Sequence, residues 1–110
     1  DTLRSKAPMA LTRKVVEAKD GDEVKIWGDG KAVRSFLYID DCVEGILKLM
    51  KSKINEPVNL GTKDHLSIND LVDIIAKIEG KKIKKKHQLN KVQGVRNRIC
   101  DFSRANKLLN

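Results

Sequence analysis

The sequence predicts an α/β fold, and three observations predict it. Segments with the apolar period of a helix alternate with short runs of strand-forming residues. Gly, Pro and Asp clusters punctuate them. One run, Phe36-Leu37-Tyr38-Ile39, is bulky at every position. That is the pattern of a strand covered on both faces, and it argues for some parallel pairing.

The elements follow in order along the chain. Ala7 to Ala18 reads as a helix: Pro8 suits its first turn, and Leu11, Val15 and Ala18 recur at helical spacing. Lys19-Asp20-Gly21-Asp22 stops it. Val24-Lys25-Ile26-Trp27 alternates as a short strand. Gly28-Asp29-Gly30 reads as a hairpin turn, because glycine accepts positive φ cheaply. Ser35 to Ile39 is a second strand, and Asp40 or Asp41 caps a helix running to about Lys51. Val43, Ile46, Leu47 and Met50 share one face of that helix. Pro57-Val58-Asn59-Leu60 is a third short strand, ended by Gly61. Ser67-Ile68-Asn69-Asp70 has capping-box spacing and opens a helix carrying Leu71, Ile74, Ile75 and Ile78, closed by Gly80. Lys82 to His87 is an edge strand, and Ser103 to Leu109 a short terminal helix. The covered run at 36–39 needs neighbours that so short a chain barely supplies, so its sheet is expected to continue into something absent.

A chain of 110 residues allows one modest domain. With 40% apolar but only 4% aromatic residues, its core is expected to be aliphatic. No run approaches the roughly 18 apolar residues of a membrane span. Asp1 to Lys6 holds no apolar run for a signal peptide, and the chain, lacking an initiator Met, reads as a fragment. The formal charge of +8 gathers partly in Lys81, Lys82, Lys84, Lys85 and Lys86. Such a run can bind nucleic acid, but no aromatic residue interleaves it as a stacking platform would need. A lysine-rich edge that resists edge-to-edge pairing accounts for it without a partner. Cys42 and Cys100 lie far apart and form no ligand set with His65 and His87, so no metal is expected. Two buried, reduced cysteines suit a cytoplasmic protein.

Few residues announce chemistry by spacing. Gly28-x-Gly30 fails as a dinucleotide loop, because position 33 is Val33 and the glycines lead toward a strand. Arg34, Arg96 and Arg98 sit where guanidinium groups suit bidentate recognition of phosphate, although a lone arginine is more often a solvated charge. Lys6 could serve as a proton donor if its pKa were lowered. No Ser/His/Asp or Cys/His arrangement is recognisable.

The motifs taken together carry a resemblance. Trp27-Gly28-Asp29-Gly30-Lys31-Ala32-Val33-Arg34-Ser35-Phe36-Leu37-Tyr38-Ile39-Asp40-Asp41 resembles the "GDG…R-[DS]-F-x-[YF]-[IV]-x-D" block of the extended short-chain dehydrogenase/reductases, the nucleotide-sugar epimerases and dehydratases. Glu56 to Gly61 is similar to their "N-[LI]-G" strand, and Asp101 to Leu109 to their "D-x-S-K-A-x-x-x-L" close. Lys6-Ala7-Pro8, Trp27, Arg34-Ser35-Phe36, Cys42-Val43-Glu44-Gly45 and Gly94-Val95-Arg96-x-Arg98 most resemble the GDP-mannose 3,5-epimerase group.

The resemblance implies that residues 1–110 are the C-terminal substrate-binding portion of such an enzyme, with the Rossmann core absent and residues 36–60 completing its sheet. It implies NAD, bound by the absent N-terminal domain. It also implies C4 oxidation of the sugar, proton exchange at C3 and C5, and re-reduction. The implied catalytic residue is Lys6, the proton-exchanging lysine. Implied substrate contacts are Lys14, Arg34, Arg96 and Arg98. Trp27 lies in the segment bordering the base, although a core aromatic is its first reading. The implied partner is a GDP-mannose-like nucleotide sugar, with a homo-oligomer at full length and neither membrane nor nucleic acid. UDP-glucose 4-epimerase and dTDP-glucose 4,6-dehydratase are the alternatives within the family, and a basic nucleic-acid-binding module is the rival of another class.

There are departures. Ala32 replaces the family's Gln, and Ser5 an acidic residue. The sequence contains neither a Gly-x-x-Gly-x-x-Gly loop nor a Tyr-x-x-x-Lys pair. The 110 residues alone are therefore expected to be inactive. The apolar faces around Phe36 to Met50 are expected to be exposed, inviting self-association.

Overall fold

The structure, a computed structural model, describes residues 5–109. The N-terminal stretch inspected for a signal peptide lies outside them up to Arg4. Four helices and five strands follow in the order α1 (Ala7–Glu17), β1 (Glu23–Trp27), β2 (Val33–Ser35), α2 (Ile39–Lys51), β3 (His65–Ser67), α3 (Ile68–Ile78), β4 (Lys84–Gln88), β5 (Asn97–Arg98) and α4 (Ser103–Leu109). The α/β expectation holds. The chain divides into two compact units. The first holds the described residues up to Val33 together with Leu66–Asn97; the second holds Arg34–His65 with the described residues from Arg98 onward.

The first unit contains the core. β1 alternates strictly, burying Val24 and Ile26 and exposing Glu23, Lys25 and Trp27, as a strand with one covered face must. It pairs in parallel with β4, Glu23 opposite Lys84 through Trp27 opposite Gln88. α1 contributes Leu11 and Val15 to its buried face, and α3 contributes Val72, Ile75 and Ala76. Val15, Ile26 and Val72 are essentially inaccessible. Each such aliphatic side chain contributes about 1.5–3 kcal/mol by leaving water. The predicted aliphatic core is thus present. The lysine-rich edge strand forms at Lys84–Gln88, its Lys85 bonded to Asp73 at 2.5 Å and its Lys86 lying 3.5 Å from Glu23.

α3 begins as its sequence pattern requires. Ser67 Oγ accepts from the Asp70 N–H at 3.1 Å, and the Asp70 carboxylate accepts from the Ser67 N–H at 3.0 Å. These reciprocal bonds satisfy two donors that a helix start leaves open. The same Ser67 hydroxyl and N–H hold the Asp70 carboxyl below its ordinary pKa.

Four expectations fail. Gly28-Asp29-Gly30 makes no hairpin, because β1 pairs with β4 while β2 lies between β3 and β5 in a separate sheet. Phe36 to Tyr38 are not strand; β2 stops at Ser35 and α2 starts at Ile39 after an N-cap, Tyr38, that makes no side-chain bond. Asp40 and Asp41 are therefore first-turn residues, where their charge suits the helix dipole, and not caps. Pro57 to Leu60 is not strand either. An isolated segment gains no ladder bonds, and Pro57 has no N–H to donate.

The second unit holds α2 and α4. The Asp101 carboxylate accepts from the Ser103 N–H at 2.9 Å and opens α4, and that bond lowers the Asp101 pKa. Arg104 pairs with Glu56, and Asn59 Nδ2 donates to Asp101 O at 3.2 Å. A groove of about 200 Å³ is lined by Leu37, Gly45, Leu60, Phe102, Ala105 and Leu109, with charged neighbours. Cys42 and Cys100 are free and half-buried, not buried as expected. No residue of α2 is buried. Among the described residues, no helix is long and apolar enough to cross a membrane.

Candidate functional site

In the first unit, the turn joining β1 to β2 is tethered by its own residues and by two other segments. Gly28 N–H extends the β1–β4 ladder, donating to Gln88 O at 2.9 Å. Asp29 Oδ1 accepts from Lys31 N–H at 2.9 Å and closes the turn locally. The first residues of α3 reach in from another side: Ile68 N–H donates to Ala32 O at 3.1 Å, and Asn69 N–H to Gly30 O at 2.9 Å. The Asn69 side chain adds a third bond, from Nδ2 to Asp29 O at 3.2 Å. Its Oδ1 faces His87 Nε2 at 2.8 Å. An amide oxygen only accepts, so His87 carries a proton on Nε2.

Both glycines of the turn are required. Gly28 and Gly30 have φ of 74° and 69°, which a Cβ disfavours. A Cβ on Gly28 would also lie 2.3 Å from Gln93 Cγ, and one on Gly30 2.1 Å from Asn69 Oδ1. Backbone and neighbouring side chain have closed on the space a side chain would fill.

The predicted residues fall around this frame unevenly. Trp27 ends β1 on its outer face, 53% exposed, with the Lys91 ammonium 6.0 Å from its ring centroid. It is not the core aromatic of the first reading, because strand alternation turns it away from Val24 and Ile26. Arg96 Nη2 lies 3.6 Å from Asp29 Oδ2, so this guanidinium meets the turn itself. Lys6 is the N-cap of α1, makes no side-chain cap bond and is exposed. Lys14 lies further along α1, and its ammonium donates to Lys25 O on β1 at 2.9 Å. In the second unit, half-buried Arg34 and exposed Arg98 sit on β2 and β5, hydrogen-bonded neighbours in one sheet. Their strands are adjacent, and each guanidinium is a forked donor of the kind that suits phosphate.

The structure thus gathers Trp27 and Arg96 near the turn and sets Arg34 beside Arg98's strand, while Lys14 spends its charge on a backbone carbonyl. Sequence reasoning missed Asn69, His87, Lys91 and Gln93. Asn69 and Gln93 join the turn across separations of 39 residues or more, such as Asn69 to Asp29 at 40 and Gln93 to Asp29 at 64, which no periodicity encodes; His87 reaches it through Asn69 and Lys91 lies by Trp27. Only Asn69 carried a signal, as an interior residue of the capping box.

The β1–β2 turn and the start of α3 do not fit a dinucleotide. The glycine turn leads into β2, and the first N–H groups of α3 are taken by turn carbonyls and by Ser67. No N–H cradle for a pyrophosphate is left there.

A family model described as "NAD dependent epimerase/dehydratase family" matches residues 2–61. The chain is 43% identical over 98 residues to GDP-mannose 3,5-epimerase of Arabidopsis thaliana, covering 89% of this chain and 25% of that protein. It is 35% identical over 103 residues to UDP-glucuronate 4-epimerase of Thermodesulfobacterium geofontis, covering 93% of this chain and 32% of that one. The solved structure of UDP-glucuronic acid 4-epimerase from Bacillus cereus, in complex with UDP-glucuronic acid and NAD, matches with a TM-score of 0.80 at 32% identity, over 96% of this chain and 33% of that one. The chain therefore spans a quarter to a third of the length of these relatives.

Proposed function

The chain belongs to the NAD-dependent epimerase/dehydratase family, and on that premise we propose that it is the substrate-binding portion of a nucleotide-sugar epimerase of the GDP-mannose 3,5-epimerase kind. The observation that carries this reading is the 43% identity extending over 89% of the chain. Arg34 and Arg98 hold the diphosphate from adjacent strands, by charge-assisted bonds stronger than neutral ones. Trp27 borders the base with its exposed face. Arg96, which meets Asp29, is carried over by resemblance as a further substrate contact. Lys6 removes or returns a proton at a sugar carbon, an amine at an exposed helix start being free to reach a ligand. Lys14 acts only after releasing the Lys25 carbonyl.

The β1–β2 turn and the start of α3 offer NAD no phosphate cradle. In this reading it is held elsewhere in a longer polypeptide, and the 110 residues alone do not turn over. A second reading, UDP-glucuronate 4-epimerase, is favoured by the 35% identity over 93% of the chain and by the Bacillus cereus structure.

A titration of isotope-labelled chain, followed by nuclear magnetic resonance, tests both. Saturable shifts at Trp27, Arg34 and Arg98 are expected with GDP-mannose. Arg98→Ala is expected to weaken binding about tenfold, the effect of losing one charge-assisted contact. Tighter binding of UDP-glucuronic acid would select the second reading. No saturable response to either, with salt-dependent binding to DNA of unrelated sequence, would refute both and leave the basic binding module.

A further inference from the structure

The outer face of the β1–β4 sheet carries more positive charge than the fold uses. Residues paired in register share a face. Glu23 therefore stands beside Lys84, Lys25 beside Lys86 and Trp27 beside Gln88, on the side away from α1 and α3. On the inner side the polar groups of β4 have partners: Lys85 is bonded to Asp73 at 2.5 Å, and His87 faces Asn69 at 2.8 Å. On the outer side three lysines meet one carboxylate, Glu23, which lies 3.5 Å from Lys86. Lys25 and Lys84 are exposed and have no ion-pair partner among the described residues. Lys91 adds an ammonium at the C-terminal end of the strands, 6.0 Å from the Trp27 ring centroid. All of these residues belong to the first unit. Unpaired ammonium groups are costly to take out of water, so this face stays solvated in a longer polypeptide.

We infer, resting on the nucleotide-sugar reading above, that this face steers the anionic ligand toward the Trp27 end of the sheet and raises its rate of arrival. The diphosphate brings about one negative charge per phosphate, and a surface of one sign raises the local concentration of the opposite charge. Distance along the strands decides what each side chain contributes. At about 3.3 Å per residue, Lys25 and Lys86 lie about 7 Å from the Trp27–Gln88 row, and Lys84 and Glu23 about 13 Å. Salt screens charges over about 8 Å at 0.15 M and about 30 Å at 0.01 M. The nearer row therefore acts at both concentrations and the farther row only at the lower. Screened attraction in water makes Lys25 worth about twofold in association rate at 0.15 M salt and about fivefold at 0.01 M. For Lys84 the low-salt factor is about twofold, and Glu23 acts with the opposite sign.

Trp27 is the chain's only tryptophan, so stopped-flow fluorescence of the 110-residue chain with GDP-mannose reads the association and dissociation rates. Lys25→Gln is expected to slow association by these factors and to leave dissociation unchanged. Lys84→Gln is expected to slow it about twofold at 0.01 M salt and not measurably at 0.15 M. Glu23→Gln is expected to speed it about twofold at 0.01 M, a gain that a damaged fold would not give. Association insensitive to salt, or Lys25→Gln and Glu23→Gln shifting it in the same direction, would overturn the steering role while saturable binding left the nucleotide-sugar reading standing. No saturable binding of GDP-mannose would overturn both.

Discussion

The Gly30→Ala substitution isolates the close contact between the β1–β2 turn and α3. Alanine at φ 69° carries a left-handed penalty of about 1–2 kcal/mol. Its Cβ would also lie 2.1 Å from Asn69 Oδ1 and 2.5 Å from Cγ, so the amide must leave. That forfeits the bonds to Asp29 O and His87 Nε2, each a net contribution of about 1 kcal/mol. The sum is a loss of about 3–4 kcal/mol. Gly21→Ala is the control. Gly21 has φ 86° in the same unit, with nothing within 4 Å of the added Cβ, so it should lose only the backbone penalty. Urea unfolding followed by circular dichroism, with m unchanged, measures both. Equal losses for the two variants would show that Asn69 yields without cost and would refute the argument that this contact fixes the turn.

Other predictions follow from the same physics. Ile26→Ala, at a site 1% exposed, should lower stability by about 2–5 kcal/mol through lost burial and a residual cavity, read as the urea midpoint. Ser67→Ala should cost about 1 kcal/mol by removing the N-cap of α3. It should also return the Asp70 carboxyl toward its ordinary range, visible in a carboxyl-carbon titration. Because bonds from Ser67 depress that pKa, the associated stability is present above the unfolded value of about 3.9 and is lost as pH falls through the folded one. The wild-type chain should therefore lose this contribution on acidification below about pH 4, and Ser67→Ala should show a shallower slope there. Lys14→Met should cost about 1 kcal/mol by removing the bond to Lys25 O. In the proposed reading it should also weaken nucleotide-sugar binding in the same titration, and unchanged binding would remove Lys14 from the site.

The sequence was most legible where local chemistry and burial agree. Ser67 and Asp70 announced the start of α3 by spacing alone, and Val24 and Ile26 announced β1 by alternation. The apolar run at 36–39 misled, because bulky residues fit a covered strand and a helix entrance equally. What decided between them was the absence of ladder partners among the described residues, which composition does not reveal. The turn at 28–30 looked like a hairpin because glycine pairs make hairpins. Its actual partners, Gln88, Asn69 and Gln93, lie at least 39 positions further on. The site residues came from resemblance and not from period: Arg34 and Arg98 are 64 positions apart in the sequence, and only strand order makes them neighbours.

The parallel pairing of β1 with β4 has a consequence for synthesis. The ribosome releases Val24 and Ile26 long before Lys84 to Gln88 exist, with all of α2 and α3 still to be made. The nascent chain must hold an apolar strand without its hydrogen-bonding neighbour across some 60 intervening residues, a long loop to close. Stalling translation before the codon for Lys84 should leave β1 open to chaperones and proteases, while a stall after His87 has cleared the exit tunnel should protect it.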